Sequence, residues 1–549
     1  MAGLVAAFGS GAMTNSQPEF EQGDCVLITG SNTSEAHPLI ATRIMRAKAN
    51  GAKLIVVDPR TIQMSLLADM HLKQRPGTDV AWLNGMMHVI ISEGLADEAF
   101  IAERTEGFEE LKELVAAYTP ERVQEISGIP AEELVQAART YAQAERASIV
   151  YAMGITQHTT GVDNVLSCAN LAMLTGNVGR PSTGVNPLRG QNNVQGACDL
   201  GGLPNVYPGY QRVTDPAVRE KFEDAWDVPL PYQVGLTVTE MIELAGASAG
   251  SAGTSGEIKA MYVMGENPLV ADPDINHARA CMEKLDFLVV QDIFLSETAA
   301  LADVVLPAVS YAEKDGTFTA TDRRVQLLRQ AIAPLGESKP DWEIVCLLAQ
   351  KMGAAGFEFE SPEAIMREIA DLTPIYGGIS YARLNTGEVL HWPCPTDDHP
   401  GTPYLHKDRF SRGLGKFHAI PFKEPAELPD EDYPLTLTTG RIMFHFHTGT
   451  MTRRSEKLHN EVPQAYVELH PDDAQRIGLE RDPWVRVSSR RGEIELIARV
   501  TDRITPGVVF IPFHFAEAAA NALTNSAFDP IAKIPEFKVC AVKVEPLAA

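Results

Sequence analysis

Two stretches far apart in this chain carry the same layout, and that repetition limits the folds open to it. The first runs from an apolar segment, Cys25–Gly30, through a helical stretch from His37 to Ala49, to a second apolar segment, Lys53–Val57, closed by Asp58-Pro59-Arg60. The second runs from Ala260–Met264 through Gly265-Glu266-Asn267 and a helical stretch from Ile275 to Lys284, to Phe287–Val290 and Gln291-Asp292. Short apolar runs ending in glycine or other turn residues read as buried strands. A strand, a helix and a strand in succession form the crossover that joins parallel neighbours. In both stretches asparagine follows the glycine at the second position (Gly30/Asn32 and Gly265/Asn267), and an aspartate follows the second strand. Asn32 to Asp58 is 26 residues and Asn267 to Asp292 is 25. An acidic group at such spacing after a glycine turn suits ribose hydroxyls or a base edge, with phosphate near the helix start. One G-x-N is a weak signal. Two at matched spacing favour two nucleotide-like units over two ordinary α/β crossovers.

Between them lies Gly179–Gly209, poor in core formers and crowded with glycine, amides and one arginine, Arg189. Gln191, Asn192, Asn193 and Gln195 each offer donors and acceptors. Arg189 offers a planar fork suited to a carboxylate or phosphate. The alternative is a long solvated loop, although loops of this length are often functional.

Elsewhere, Asp79–Gly94 and Ala131–Ala144 read as amphipathic helices. Ile149–Met153 reads as a strand ending in Gly154-Ile155-Thr156-Gln157-His158, with His158 at the surface or behind a contact residue. Asn164–Thr175 is a helix leading to the arginine loop. Ala245–Gly256 is a small-residue, flexible surface insertion. Asp322, Arg323 and Arg324 form a charge cluster, either a surface ion pair or a ligand contact. Pro421–Pro434 is an acidic, proline-rich linker. Beyond it Tyr433–Thr439, Ala465–Leu469, Trp484–Ser489, Ile494–Val500 and Val508–Phe513 read as strands of a small barrel, the middle pair as a hairpin. Thr438–Arg454 sets Gly440, Arg441, His445, His447, Thr448, Gly449, Thr450, Arg453 and Arg454 close together, a donor set suited to phosphates and heterocycle edges. A metal on the two histidines is a weaker reading, because no carboxylate or cysteine accompanies them at useful spacing.

The chain has 549 residues, enough for three or four domains. Its formal charge of −25 disfavours nucleic acid and anionic membrane surfaces. No apolar run reaches the length of a bilayer-spanning helix. The apolar start lacks the basic residues of a secretory signal, which reads as folded structure in a cytoplasmic chain. The seven cysteines are scattered, with no C-x-x-C pair and no zinc or iron–sulfur spacing.

The segment P-L-R-G-Q-N-N-V-Q-G-A-C-D-L-G-G-L-P-N-V-Y-P-G-Y-Q, residues 187–211, resembles the substrate-pocket segment of molybdenum- or tungsten-dependent formate dehydrogenases of the bis-molybdopterin-guanine-dinucleotide family. M-G-I-T-Q resembles a cofactor-contacting turn of that family. Leu301–Pro307, Glu313–Gln326, Thr438–Arg454 and Asn521–Glu545 also resemble it. The resemblance implies an α/β fold of two interleaved Rossmann-like domains (1–191 and 192–420) followed by a double-psi-type β-barrel (421–549). It implies that Arg189 clamps formate, with Gln191 and Asn193 shaping the pocket. Gly30, Asn32, Asp58, Arg60, Met153, Gly154, Gln157, Gly265, Asn267, Asp292, Asp322, Gly440, Arg441, His445, His447, Thr448, Asn521 and Lys538 would touch the cofactor, which carries Mo or W. Formate and CO₂ would be substrate and product, and iron–sulfur or flavin subunits the electron partners. A nitrate-reductase-type enzyme and a non-catalytic cofactor-binding fragment are the alternatives.

Full-length catalytic subunits of this family begin with a 4Fe–4S domain and a selenocysteine or cysteine metal ligand followed by histidine, in a stretch resembling U/C-H-x-x-S-V-A-G-L. This chain opens M-A-G-L, with Met1 where the valine would stand. The expectation is a GTG start codon, with an in-frame UGA or cysteine codon upstream. The metal ligand and cluster would then lie before Met1, and the chain alone would not turn over formate.

Overall fold

The computed structural model describes residues 1–246, 258–479 and 484–547. Residues 247–256 of the small-residue insertion lie outside the described residues. The chain divides into two units: one of residues 1–190, 270–276 and 404–549, the other of 191–269 and 277–403. Residues 404–420, which the sequence reading places in the second domain, group with the first unit.

The first unit opens with helix α1 (Ala2–Phe8), which buries Leu4, Ala7 and Phe8. Its sheet consists of β1 (Cys25–Thr29), β2 (Lys53–Val57), β3 (Met70–Leu72), β4 (Ala147–Tyr151) and β5 (Gly184–Pro187). The order is β3-β2-β1-β4-β5, all parallel. The chain winds outward in one direction through β2 and β3 and in the other through β4 and β5. The strand order therefore reverses between β1 and β4, the place where open α/β sheets bind ligands. Every residue of β1 and β4 is buried, as a central parallel strand requires.

Helix α2 (Pro38–Ala49) is the expected crossover, started by proline at its first position. Helix α3 (Asp79–Ser92) departs from the amphipathic expectation. Eleven of its residues, Asp79 to Ile90 except His88, are buried, because it is apolar nearly all round and packs inside the main core with Trp82, Leu83 and Met86. Helix α4 (Ala131–Ala142) keeps one buried face. Helix α5 (Gly161–Leu174) is again wholly enclosed except at Asp163.

Strand β6 (Ala260–Met264), helix α6 (Ile275–Met282) and β7 (Phe287–Asp292) form the second crossover, and β8 (Val304–Pro307) completes a parallel sheet of order β8-β7-β6; the strands and the helix from His277 on belong to the second unit. Here β6 is not the buried strand that its composition suggests. It is an edge strand, and of its residues only Val263 is buried.

The last part of the chain, in the first unit, is a closed six-stranded barrel of β9 (Leu435–Gly440), β10 (Tyr466–Leu469), β11 (Trp484–Ser488), β12 (Glu493–Val500), β13 (Val508–Pro512) and β14 (Cys540–Pro546), ordered β9-β13-β10-β12-β11-β14. The expected hairpin is β11–β12, antiparallel through Trp484–Ser488 and Glu493–Ile497. Val467, Leu469, Val485, Val487, Val509 and Ile511 fill the interior. Arg60, just past β2, joins sheet to barrel through a bidentate pair with Glu468 at 2.9 and 2.8 Å, and lies 3.5 Å over the Phe510 ring. Pro421–Pro434 contains no helix or strand.

Candidate functional site

At the reversal point the ends of β1 and β4 meet through two glycines. Gly30 has φ +57°, and a Cβ there would lie 2.6 Å from the Gly154 carbonyl carbon. A Cβ on Gly154 would lie 2.5 Å from the Gly30 Cα. The Gly154 amide donates to the Gly30 carbonyl at 3.0 Å. Only a Cβ-free pair can approach so closely. Just beyond, both side-chain polar atoms of Asn32 and the Ser34 hydroxyl are buried with no protein partner. Buried polar groups are ordinarily satisfied, so this turn has the character of a cradle for a polar ligand.

Beneath the turn, His158 is buried and not at the surface. Its Nε2 lies 2.9 Å from the Gly154 carbonyl, its Nδ1 3.1 Å from Glu536, and Asp79 is 3.7 Å away. The two carboxylates outweigh burial and hold its pKa up at about 8. Asp58 accepts from the Arg60 amide at 2.9 Å and is raised to about 6 by burial. Lys538, also buried, donates to the Thr439 carbonyl at 2.7 Å and is lowered to about 8, again by burial.

Arg441 centres a second cluster. Its guanidinium donates to the Gly190 carbonyl at 3.1 Å and lies 5.1 Å from the Phe446 ring centroid. Burial lowers its pKa, and among the described residues no carboxylate pairs with it. Three imidazoles share its field. His447 is lowered to about 4 by burial and by Arg441. His514 is lowered to about 3, chiefly by burial. It accepts from the Ile442 amide at 3.1 Å and donates to the His447 carbonyl. His37 is lowered by burial and lies 2.6 Å from the Arg189 carbonyl. A partly buried guanidinium with no carboxylate partner among the described residues carries a desolvation cost that an anion would offset. The donor set thus matches an anion such as a nucleotide pyrophosphate.

Other sequence-predicted residues have different work. Arg60 is taken by Glu468. The two ring nitrogens of His445 face the Val462 carbonyl at 2.7 Å and the Thr452 hydroxyl at 3.3 Å. Thr448 pairs with Thr450 at 2.8 Å. A Cβ on Gly440 would meet the Phe510 ring at 2.6 Å, so its smallness serves barrel packing. Asn521 donates to the Val270 and Ala271 carbonyls at 2.9 and 3.0 Å. Met153 is 40% exposed, and the Gln157 carbonyl accepts from the Phe537 amide at 3.2 Å.

In the second unit, Asn267 donates to Glu297 at 2.7 Å and accepts from the Thr298 amide and hydroxyl at 3.1 and 2.8 Å. Gly265 has φ +65° with open space where a Cβ would be. Asp292 accepts from the Ile293 amide at 2.6 Å. The 322–324 cluster is no surface ion pair: Asp322 and Arg323 are buried, Asp322 lies 3.4 Å from His391, and Arg323 donates to the carbonyls of Trp392, Thr402 and Pro403. Gln191 is partly buried at the start of this unit. Asn193, at φ +61°, accepts from the Thr319 amide at 2.9 Å.

Sequence reasoning missed Asp199. It is buried and accepts from Gln195, Tyr210 and Tyr376 at 2.7, 2.6 and 2.7 Å, while the Tyr376 and Thr319 hydroxyls lie 2.8 Å apart. This network braces the amide-rich loop that follows the arginine. His37 and His514 were also missed, since neither lies in a glycine-rich or cationic motif.

A doubly wound parallel sheet with a glycine cradle at its reversal point, joined to a barrel that carries a partly buried cation with no carboxylate partner among the described residues, fits a nucleotide-cofactor-binding α/β protein. Residues 4–351 match the molybdopterin oxidoreductase family, and residues 435–541 match the molydopterin dinucleotide binding domain. The chain belongs to the molybdopterin oxidoreductase family and is an enzyme of the oxidoreductase class, with a molybdopterin guanine dinucleotide as its cofactor. It is 54% identical over 546 residues to the F420-dependent formate dehydrogenase 1 subunit alpha of Methanococcus maripaludis, a match covering 99% of this chain and 79% of the relative. It is 42% identical over 554 residues to formate dehydrogenase H of Escherichia coli, covering 100% of this chain and 76% of that protein. Acetylene hydratase from Pelobacter acetylenicus shares the fold, with TM-score 0.77 and 22% identity, over 100% of this chain and 80% of that one. Among the described residues no helix is long and apolar enough to cross a membrane.

Proposed function

We propose that the chain is the cofactor- and formate-binding part of a formate dehydrogenase alpha subunit, catalysing two-electron oxidation of formate to CO₂ or the reverse. The observation that carries this reading is the placement of Arg189. Its carbonyl and that of Gly190 are held by His37 and Arg441, so the arginine begins beside the anion-seeking cluster. When bound, the bis-molybdopterin guanine dinucleotide, with Mo or W, supplies the two-electron redox chemistry.

The chain's own residues bind and orient. Arg441 and Lys538 offset phosphate charge, Asn32 and Ser34 supply buried polar partners, and the Gly30–Gly154 pair keeps the cradle open. The fork of Arg189 grips the formate carboxylate through two parallel hydrogen bonds and fixes the direction of its C–H bond. Gln191 and Asn193, two and four positions further on, are read as substrate-side residues. Partner subunits with iron–sulfur or flavin groups would take up the electrons. The methanogen relative's name makes F420 the first acceptor to try.

The test is Arg189→Lys in the assembled enzyme. Lysine cannot form the fork, so formate KM should rise at least about tenfold with kcat less affected. Unchanged kinetics would remove the clamp. Parallel assays with formate plus oxidised dye and nitrate plus reduced dye separate this function from a nitrate reductase.

A further inference from the structure

Arg189 leaves the sheet at its edge. The Leu188 amide still donates to the Tyr151 carbonyl, 2.8 Å, as the continuation of the β5–β4 ladder. Past that bond the next two carbonyls are held from elsewhere. That of Arg189 lies 2.6 Å from His37 Nε2, and that of Gly190 lies 3.1 Å from Arg441 Nη1. A carbonyl oxygen only accepts, so Nε2 of His37 carries the hydrogen. The contact is shorter than an average N–H···O bond.

The donor is itself fixed. The His37 amide donates to the Thr33 carbonyl at 2.8 Å, and the His37 carbonyl accepts from the Ala41 amide at 3.0 Å. Pro38 follows at the first position of α2 and restricts the backbone further. The ring is therefore carried on two short helical ends just past the cradle turn. It reaches a residue 152 positions away in sequence.

We infer that His37 is a positioning residue for Arg189: its Nε2–H sets the Arg189 carbonyl, and with it the direction in which the guanidinium leaves the backbone. The inference rests on the reading of Arg189 as the formate clamp. Because Nε2 donates in both the neutral and the protonated ring, the role needs no titration of His37. This separates positioning from acid–base work, in which a proton would have to move.

The experiment compares His37→Phe, His37→Gln, His37→Asn and Arg189→Lys in the assembled enzyme, measuring formate KM and kcat across pH 5.5–8 together with pterin content per protein. The glutamine amide nitrogen reaches the position of Nε2, whereas that of asparagine reaches the position of Nδ1. Loss of the bond should raise formate KM about tenfold or more in His37→Phe and His37→Asn, with kcat within about threefold. His37→Gln should bring the rise back to about threefold or less, and pterin content should match the parent in His37→Gln and His37→Asn. If phenylalanine lowers pterin content, the glutamine–asparagine difference in KM still decides. Equal KM in those two variants overturns the inference. So does a fall in kcat that glutamine fails to rescue, which would mark His37 as a proton carrier. If Arg189→Lys raises KM and the His37 variants do not, only the positioning role fails. If Arg189→Lys leaves KM unchanged, the clamp itself fails, and this inference with it.

Discussion

The two crossovers match in sequence layout and differ in what their turns do. In the first, Gly30 and Gly154 are pressed together, and the amide of Asn32 is buried without a protein partner. In the second, Gly265 faces open space and Asn267 is satisfied three times over by Glu297 and Thr298. Their strands differ too: β1 is buried throughout, whereas Tyr262 and Met264 of β6 are 38% and 49% exposed. Near-equal spacing thus preserves a backbone path without preserving a chemical role. One asparagine is available to a ligand, and the other stitches its own loop.

The sharpest test is a methyl group at the tight contact. Gly154→Ala places a Cβ against backbone and should destabilise by about 3 kcal/mol and lower pterin content. A shift in urea midpoint below a third of that would mean the turns separate easily. Next come the asparagines. Asn267→Ala leaves Thr298 and Glu297 without their partner, and should cost about 2 kcal/mol with pterin content unchanged. Asn32→Ala removes atoms that lack partners, and should cost under about 1 kcal/mol while lowering pterin content. Reversal of the two patterns would break the comparison.

A pH series probes what supports the first turn. The folded pKa of His158 is raised to about 8 from 6.5. The ring therefore contributes stability that is fully present below pH 6.5 and lost as pH rises through about 8, amounting to about 2 kcal/mol. Chemical denaturation of parent and His158→Gln at pH 6 and 9 should show this slope in the parent only. Gly265→Ala, where only the left-handed backbone opposes the methyl, should cost about 1 kcal/mol by the same denaturation measurement.

Much of the scaffold was legible in the sequence. Apolar runs ending at Gly30 and near Asp58 marked a crossover, and the turn after Ser488 marked a barrel hairpin, because strand and turn chemistry is local. In the candidate site, motifs that concentrate donors drew attention to Arg441 and Arg189, whose roles remain proposals. What escaped depends on partners distant in sequence. Arg60 looked like a ligand contact until Glu468 took it. His158 could be read as superficial or as lying behind a contact residue, and its burial against Glu536 removes the first. Asp199 carries no local sign of the tyrosines that reach it from positions 210 and 376. Asp79–Ser92 was misread as half-exposed because periodicity on one helix does not reveal how many neighbours surround it.

The bond between Arg60 and Glu468 spans 408 residues. On a ribosome adding roughly 5–20 residues each second, the segment carrying Arg60 emerges about twenty seconds or more before its carboxylate partner exists. Until then the guanidinium has no carboxylate mate and must stay wet. Arg441 and Lys538 arrive in the same late portion of the chain. The contacts that Glu468, Arg441 and Lys538 make therefore form only after the sheet has been made.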